Sequence, residues 1–199
     1  MTAAPGKTLL IACGALAEEC FAVIRANGWD HMEVTCLPAK LHNRPALIPE
    51  AMRKKIHENR DRFDRILALY GDCGTGGGLD KVLAEEGVER ISGAHCYEFY
   101  TGAAAFAAIA DAEPATFYLT DFLARHFDRL IIEGLGIDKH PELLPLYFGN
   151  YEKLLYLSQI ENAELQDKAR AAAERLFLDY EYRFTGLSGL GDFLKQKAG

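Results

Sequence analysis

The sequence predicts an α/β fold, a single doubly wound and mainly parallel sheet with helices on both faces, a Rossmann-like three-layer sandwich formed by residues 1–199 as one domain. Three observations point to it. Short apolar runs alternate with longer stretches of helical periodicity. Many runs end in glycine or proline, where a buried strand leaves its sheet. The composition, 49% hydrophobic and 26% charged over 199 residues, suits one compact unit around one core.

The elements follow in order. Lys7 to Cys13 is nearly all apolar and closed by Gly14, the mark of a strand buried on both faces. Leu16, Phe21, Val23 and Ile24 give a helix from Ala15 to Ala26, stopped at Asn27-Gly28. Met32 to Leu37 reads as a strand ended by Pro38, and the loop Ala39 to Pro45 leads to a polar helix from Pro49 to Arg60. Asp64 to Tyr70 is the next strand, Gly71 to Gly78 a glycine-rich loop, and Leu79 to Glu86 a helix stopped by Gly87. A short strand from Val88 to Ser92 precedes a helix over Glu98 to Ala110. Thr116 to Leu119 is a strand and Asp121 to Glu133 its helix. The last third reads as a short helix at Glu142 to Tyr147, a strand at Lys153 to Leu157, a strong helix at Ala163 to Phe177, a strand at Tyr180 to Phe184 and a closing helix at Leu187 to Gln196. Strands alternating with helices imply right-handed crossovers and parallel pairing.

A net charge of −7 with no local run of Lys or Arg speaks against a nucleic-acid surface. No run approaches the roughly 18 apolar residues of a membrane helix, and Met1 to Gly6 lacks the pattern of a signal peptide. A cytoplasmic protein is expected. There, five scattered cysteines do not form a disulfide framework.

In an open parallel sheet, ligands bind beyond the carboxyl ends of the strands. Cys13, Cys73 and Cys96 all fall at such ends, in polar and glycine-rich company, whereas Cys20 within a helix and Cys36 within a strand read as core. Three convergent thiolates are soft ligands suited to zinc, the first expectation, or to an iron-sulfur cluster, the second. His42 or His95 can complete the shell. With no Cys-x-x-Cys pair, neither a zinc ribbon nor a thioredoxin motif is indicated. The loop from Gly71 to Gly78 has five glycines in eight residues, so the amides around Gly74, Thr75, Gly76 and Gly77 offer a cradle for the anionic group of a small substrate. The plainer reading is a tight turn that Asp72 or Thr75 helps to cap. Glu19, Glu98 and His95 are the candidates for acid–base work or for orienting a ligand. Tyr147 to Tyr151 is an aromatic turn, read as packed or as a lid.

Ala12-Cys13-Gly14, Leu41-His42-Asn43, Tyr70-Gly71-Asp72-Cys73-Gly74, Gly93-x-His95-Cys96-Tyr97-Glu98 and Phe148-Gly149-Asn150-Tyr151 together resemble the bacterial and archaeal family of domain of unknown function 1638, over nearly the whole chain. The resemblance brings no established reaction. It implies an association with components of corrinoid-dependent methyl transfer, and hence with one-carbon metabolism. The leading expectation is a metal-dependent enzyme with ligands Cys13, Cys73, Cys96 and His42. Two others stand beside it. One is a metal-free cysteine enzyme, a racemase or acyl-transfer catalyst using Cys73 with Cys96 or His95. The other is an accessory protein delivering a cofactor or ligand to a methyltransferase system. Homo-oligomerisation is common among such folds.

Overall fold

A computed structural model describes residues 6–197; nearly all of the Met1 to Gly6 segment read above as no leader lies outside the described residues. In chain order the elements are β1 (Thr8–Cys13), α1 (Ala17–Asn27), β2 (Met32–Leu37), α2 (Ile48–Asn59), β3 (Arg65–Leu69), α3 (Gly78–Glu86), β4 (Glu89–Arg90), α4 (Glu98–Thr101), α5 (Ala103–Ala112), β5 (Thr116–Thr120), α6 (Asp121–Arg125), α7 (Leu144–Phe148), β6 (Lys153–Ser158), α8 (Ala163–Leu176), β7 (Asp179–Phe184) and α9 (Ser188–Lys197). No helix among the described residues is long and apolar enough to cross a membrane.

The α/β class and the parallel pairing are as expected. The strands, however, are shared between two sheets, in the orders β2-β1-β3-β4 and β5-β6-β7, with every pair parallel. The chain correspondingly divides into two compact units, Met1–Phe99 with Leu187–Gly199, and Tyr100–Gly186.

In the first unit all six residues of β1 are buried, because the strand has neighbours on both sides and helices on both faces. The chain passes from β1 to β2 through α1, then returns across β1 to β3 through α2. Right-handed crossovers taken in opposite directions put successive helices on opposite faces. The packing agrees, since α1 meets α9 while α2 meets α3. Ile48, Met52 and Ile56 of α2 are fully buried, and their spacing of four residues marks the face laid on the sheet. Helices α1 and α3 stop at left-handed Gly28 and Gly87, as their sequences predict.

The second unit steps in one direction from β5 to β6 to β7, so its helices share a face and α6 packs on α8. Leu165, Ala169, Ala172, Ala173 and Leu176 of α8 join Leu154 and Tyr156 of β6 in the core. Two expected helices are interrupted. Gly102, at φ 82°, separates α4 from α5, and the helix begun at Asp121 gives way to a π-helical turn over Asp128–Ile132. The aromatic turn packs rather than stands open, with Phe148 edge-on to Phe117 at 5.2 Å and Tyr151 at 5.7 Å from the same ring.

A buried carboxylate ties the strand ends of this unit together. Asp121 accepts from the Tyr156 hydroxyl (2.6 Å), the Gln159 amide (3.2 Å) and the Ile160 amide (3.0 Å), while its own amide donates to Gln159 Oε1 (3.0 Å). Removing the acceptor leaves two buried donors, the Tyr156 hydroxyl and the Gln159 amide, and the part-buried Ile160 amide without that partner. Asp121→Ala is expected to lower unfolding stability by roughly 3 kcal/mol, and Asp121→Asn, which keeps one acceptor oxygen, by about half that; urea denaturation of the two variants measures the difference.

Candidate functional site

The order β2-β1-β3-β4 reverses direction between β1 and β3. At such a switch point the loops leaving the two strands part to opposite faces and open a crevice. The second sheet, with order β5-β6-β7, contains no reversal. Cys13 is the last residue of β1, and Cys73 lies just past the end of β3, so these two thiols flank the switch point. Cys96 comes from the loop after β4.

Close approach of the loops brings the three within electrostatic reach of one another. A Cβ on Gly71 would stand 3.1 Å from the His95 carbonyl carbon and 3.2 Å from the Ala94 oxygen, tighter than a side chain tolerates without movement of backbone. The bare glycine lets the two loops continue the sheet, with Asp72 N–H donating to the Gly93 carbonyl (3.1 Å) and Cys73 N–H to the Ala94 carbonyl (2.8 Å). Gly14 does the same on the other side, where a Cβ would meet the Leu37 carbonyl oxygen at 3.2 Å. The loop carrying His42 is thereby drawn against Cys13. Cys73 is held at φ 49°, the left-handed region that costs a non-glycine residue about 1–2 kcal/mol.

Burial dominates the electrostatics. It pushes the Cys13 thiol up to about 12, against a 3.4 Å hydrogen bond from the Ala15 amide and with a further upward push from Cys73. It pushes Cys73 up to about 11, opposed by the amides of Cys96 and Gly71. Cys96 is raised by burial first and then by the nearby Cys73 and Cys13. Each thiol therefore makes its neighbours harder to ionise. Tyr70, fully buried, is raised by burial and then by Cys13, Cys73 and Cys96. Its hydroxyl forms no full hydrogen bond, and the Cys13 sulfur is the side chain it approaches. The His42 ring stacks on Tyr70, with centroids 5.7 Å apart. Its Nδ1 is 2.9 Å from the Ala39 carbonyl and 3.9 Å from Cys13 Sγ. A carbonyl only accepts, so Nδ1 is assigned the proton and Nε2 the free lone pair. Burial lowers His42, which favours this neutral form.

The family model described as "Protein of unknown function (DUF1638)" matches residues 36–194. The chain belongs to the DUF1638 family. No curated protein and no solved structure matches it. His42, Cys73, His95, Cys96 and Glu98 lie inside the segment matched to DUF1638, and Cys13 and Glu19 precede it.

The remaining predicted residues of this DUF1638 chain fall into three groups. The glycine loop is filled from within: Asp72 accepts from the Gly76 amide (3.0 Å), the Gly77 amide (2.9 Å) and the Thr75 hydroxyl, and the first of these contacts in strength, from Thr75, holds its carboxyl below the usual range. An external anion would have to displace that carboxylate. Glu98 accepts from the amides of Ala94 (2.7 Å) and His95 (3.2 Å), so it braces the loop that presents Cys96. Glu19 is buried within electrostatic reach of Cys96, and His95 stands close enough to lower His42. Cys20 is fully buried, as expected of a core thiol, while Cys36 is only half-buried. Both lie within electrostatic reach of Cys13. Among the described residues, no group of three or more His, Cys, Asp or Glu side chains that could hold a metal ion is already assembled. Tyr70 belongs to the Tyr-Gly-Asp-Cys-Gly segment that the sequence singles out, but the sequence assigns it no role. Its signal was its place, an aromatic hydroxyl at the carboxyl end of the strand that leads to Cys73.

Two outcomes follow from strain and burial. Cys73→Gly is expected to be more stable than Cys73→Ala by about 1 kcal/mol, since only glycine adopts the left-handed backbone freely; chemical denaturation of the pair tests this. In the absence of a bound cation, folded thiols held near 11 to 12 keep their protons while unfolded ones near 9 lose them. The folded state then binds more protons, and stability declines as pH rises through about 9 toward 11. Denaturation midpoints across that range, with a shallower decline in Cys13→Ala, provide the measurement.

Proposed function

We propose that Cys13, Cys73 and Cys96 ligate a soft metal ion, zinc in the first place and an iron-sulfur cluster in the second, with His42 completing the shell, in a metal-dependent enzyme. The observation that carries the reading is the meeting of one buried and two half-buried thiols at the switch point, within electrostatic reach of one another and of the buried Tyr70 hydroxyl. Without a cation these thiols are costly to ionise, and a divalent ion reverses that cost because it is attracted to every thiolate at once. The donor set is that of a three-cysteine, one-histidine site. His42 enters it neutral, with Nδ1 anchored on Ala39 and Nε2 free to donate its lone pair, the usual second contact of a ligating histidine. Ligation requires the cysteine side chains to turn toward one ion, while Glu98 and Asp72 hold their loops in place.

Bound there, zinc supplies a Lewis acid that lowers the proton affinity of a ligated water or thiol. Activation of a thiol for methylation is the reaction that would fit the family's association with corrinoid-dependent methyl transfer. The metal-free alternative asks for a thiol of lowered pKa, and burial moves Cys73 the other way, up to about 11.

Protein purified anaerobically without a histidine tag is expected to carry about one equivalent of zinc or, for a cluster, about two to four of iron with matching sulfide, falling below about a fifth of that in Cys73→Ser, as tight thiolate binding requires. Elemental analysis decides the matter, and less than about a tenth of an equivalent of any metal in the wild type would overturn the proposal.

A further inference from the structure

Tyr70 has an unusual position for a buried tyrosine. Such hydroxyls nearly always find a partner, yet this one is fully enclosed without a full hydrogen bond, and the Cys13 sulfur is the side chain it faces at hydrogen-bonding approach. It cannot turn to water, because the ring is pressed against His42 and the chain passes directly into Gly71, whose approach to the His95 loop fixes the backbone. The groups around the hydroxyl are Cys13, Cys73 and Cys96, with Cys13 the first of them.

A neutral thiol is a poor acceptor, and a thiolate a good one. The three sulfurs are not equally in need. Cys73 already receives the amides of Gly71 and Cys96. Cys13, apart from the Tyr70 hydroxyl itself, has the long 3.4 Å contact from Ala15 and His42 Nδ1 at 3.9 Å, and that nitrogen is engaged by Ala39. We infer that Tyr70 is a positioning residue of the thiol site, its O–H held idle while Cys13 is a neutral thiol and donated to the Cys13 sulfur once a metal makes it a thiolate. The inference rests on the metal reading above and adds a donor that the site requires only in its loaded state.

This assigns Tyr70 opposite effects in two states of one protein. In the metal-free chain, Tyr70→Phe removes a buried hydroxyl with no full hydrogen bond and only a neutral thiol beside it, so stability stays level or rises. In the loaded chain it removes a hydrogen bond to a charged sulfur, and affinity falls roughly tenfold to a hundredfold. The sulfur also regains the electron density that the O–H had drawn away, which moves its charge-transfer absorption to lower energy.

Cobalt(II) added to wild-type and Tyr70→Phe full-length protein reads both effects, through the sulfur-to-cobalt band and a competitive chelator titration, alongside urea denaturation of the two metal-free proteins. Expected are equal cobalt stoichiometry, a weaker affinity and a red-shifted band in the variant, and no loss of metal-free stability. Cobalt bound with the same affinity and the same band in both proteins would overturn the role of Tyr70 while leaving the metal site standing. A metal-free variant clearly less stable than wild type would assign the residue to the core and overturn it as well. A wild type that takes up no cobalt would sink the metal site itself, and this role with it.

Discussion

Parallel pairing of β1 with β2 on one side and β3 on the other governs everything at the candidate site. Strands that run in one direction release their loops at one edge, and a reversal in strand order makes neighbouring loops part there. Cys13 and Cys73 are consequently delivered to the same edge of the sheet, on either side of the switch point. The pairing persists beyond the strands themselves, because Asp72 and Cys73 donate to Gly93 and Ala94 and zip the two loops together. Gly14 and Gly71 are the condition for this, since backbone atoms occupy the space that a side chain would need.

Confinement has an electrostatic consequence. Sulfur atoms buried among strand ends lose the water that would stabilise a thiolate, and each adds to the cost of ionising the next. The glycine-rich loop shows the opposite case. Its amides are fully able to stabilise a negative charge, and they already do so for Asp72. One edge of one sheet thus holds a satisfied carboxylate beside a set of thiols that burial keeps uncharged.

Much of the fold is legible in the residues. Apolar runs closed by glycine or proline mark β1, β2 and β3, and the left-handed stops at Gly28 and Gly87 are where the helix patterns end. The placement of Cys13, Cys73 and Cys96 at strand ends is legible for the same reason, as periodicity fixes where a strand must stop. The division into two sheets is not, because hydrophobic patterning tells a strand that it is buried and says nothing about which strand lies beside it. Glu98 illustrates the limit at the site. Its type allows proton transfer, but only the folded loop reveals that its oxygen is met by the amides of Ala94 and His95. Cys36 was read as core from its place in a strand, whereas β2 is an edge strand and leaves it half-buried.

By itself the sequence determined the α/β class, the family and the three thiols worth following, since these depend on local pattern and residue type. The tertiary structure decided what those groups face. It set Asp72 into its own loop, ran the strand order back across β1, and enclosed the Tyr70 hydroxyl beside Cys13 without a full hydrogen bond. The physical reason is that burial and hydrogen-bond partnership arise from contacts between segments far apart in the chain, which strand pairing and the close approach of glycine loops bring together.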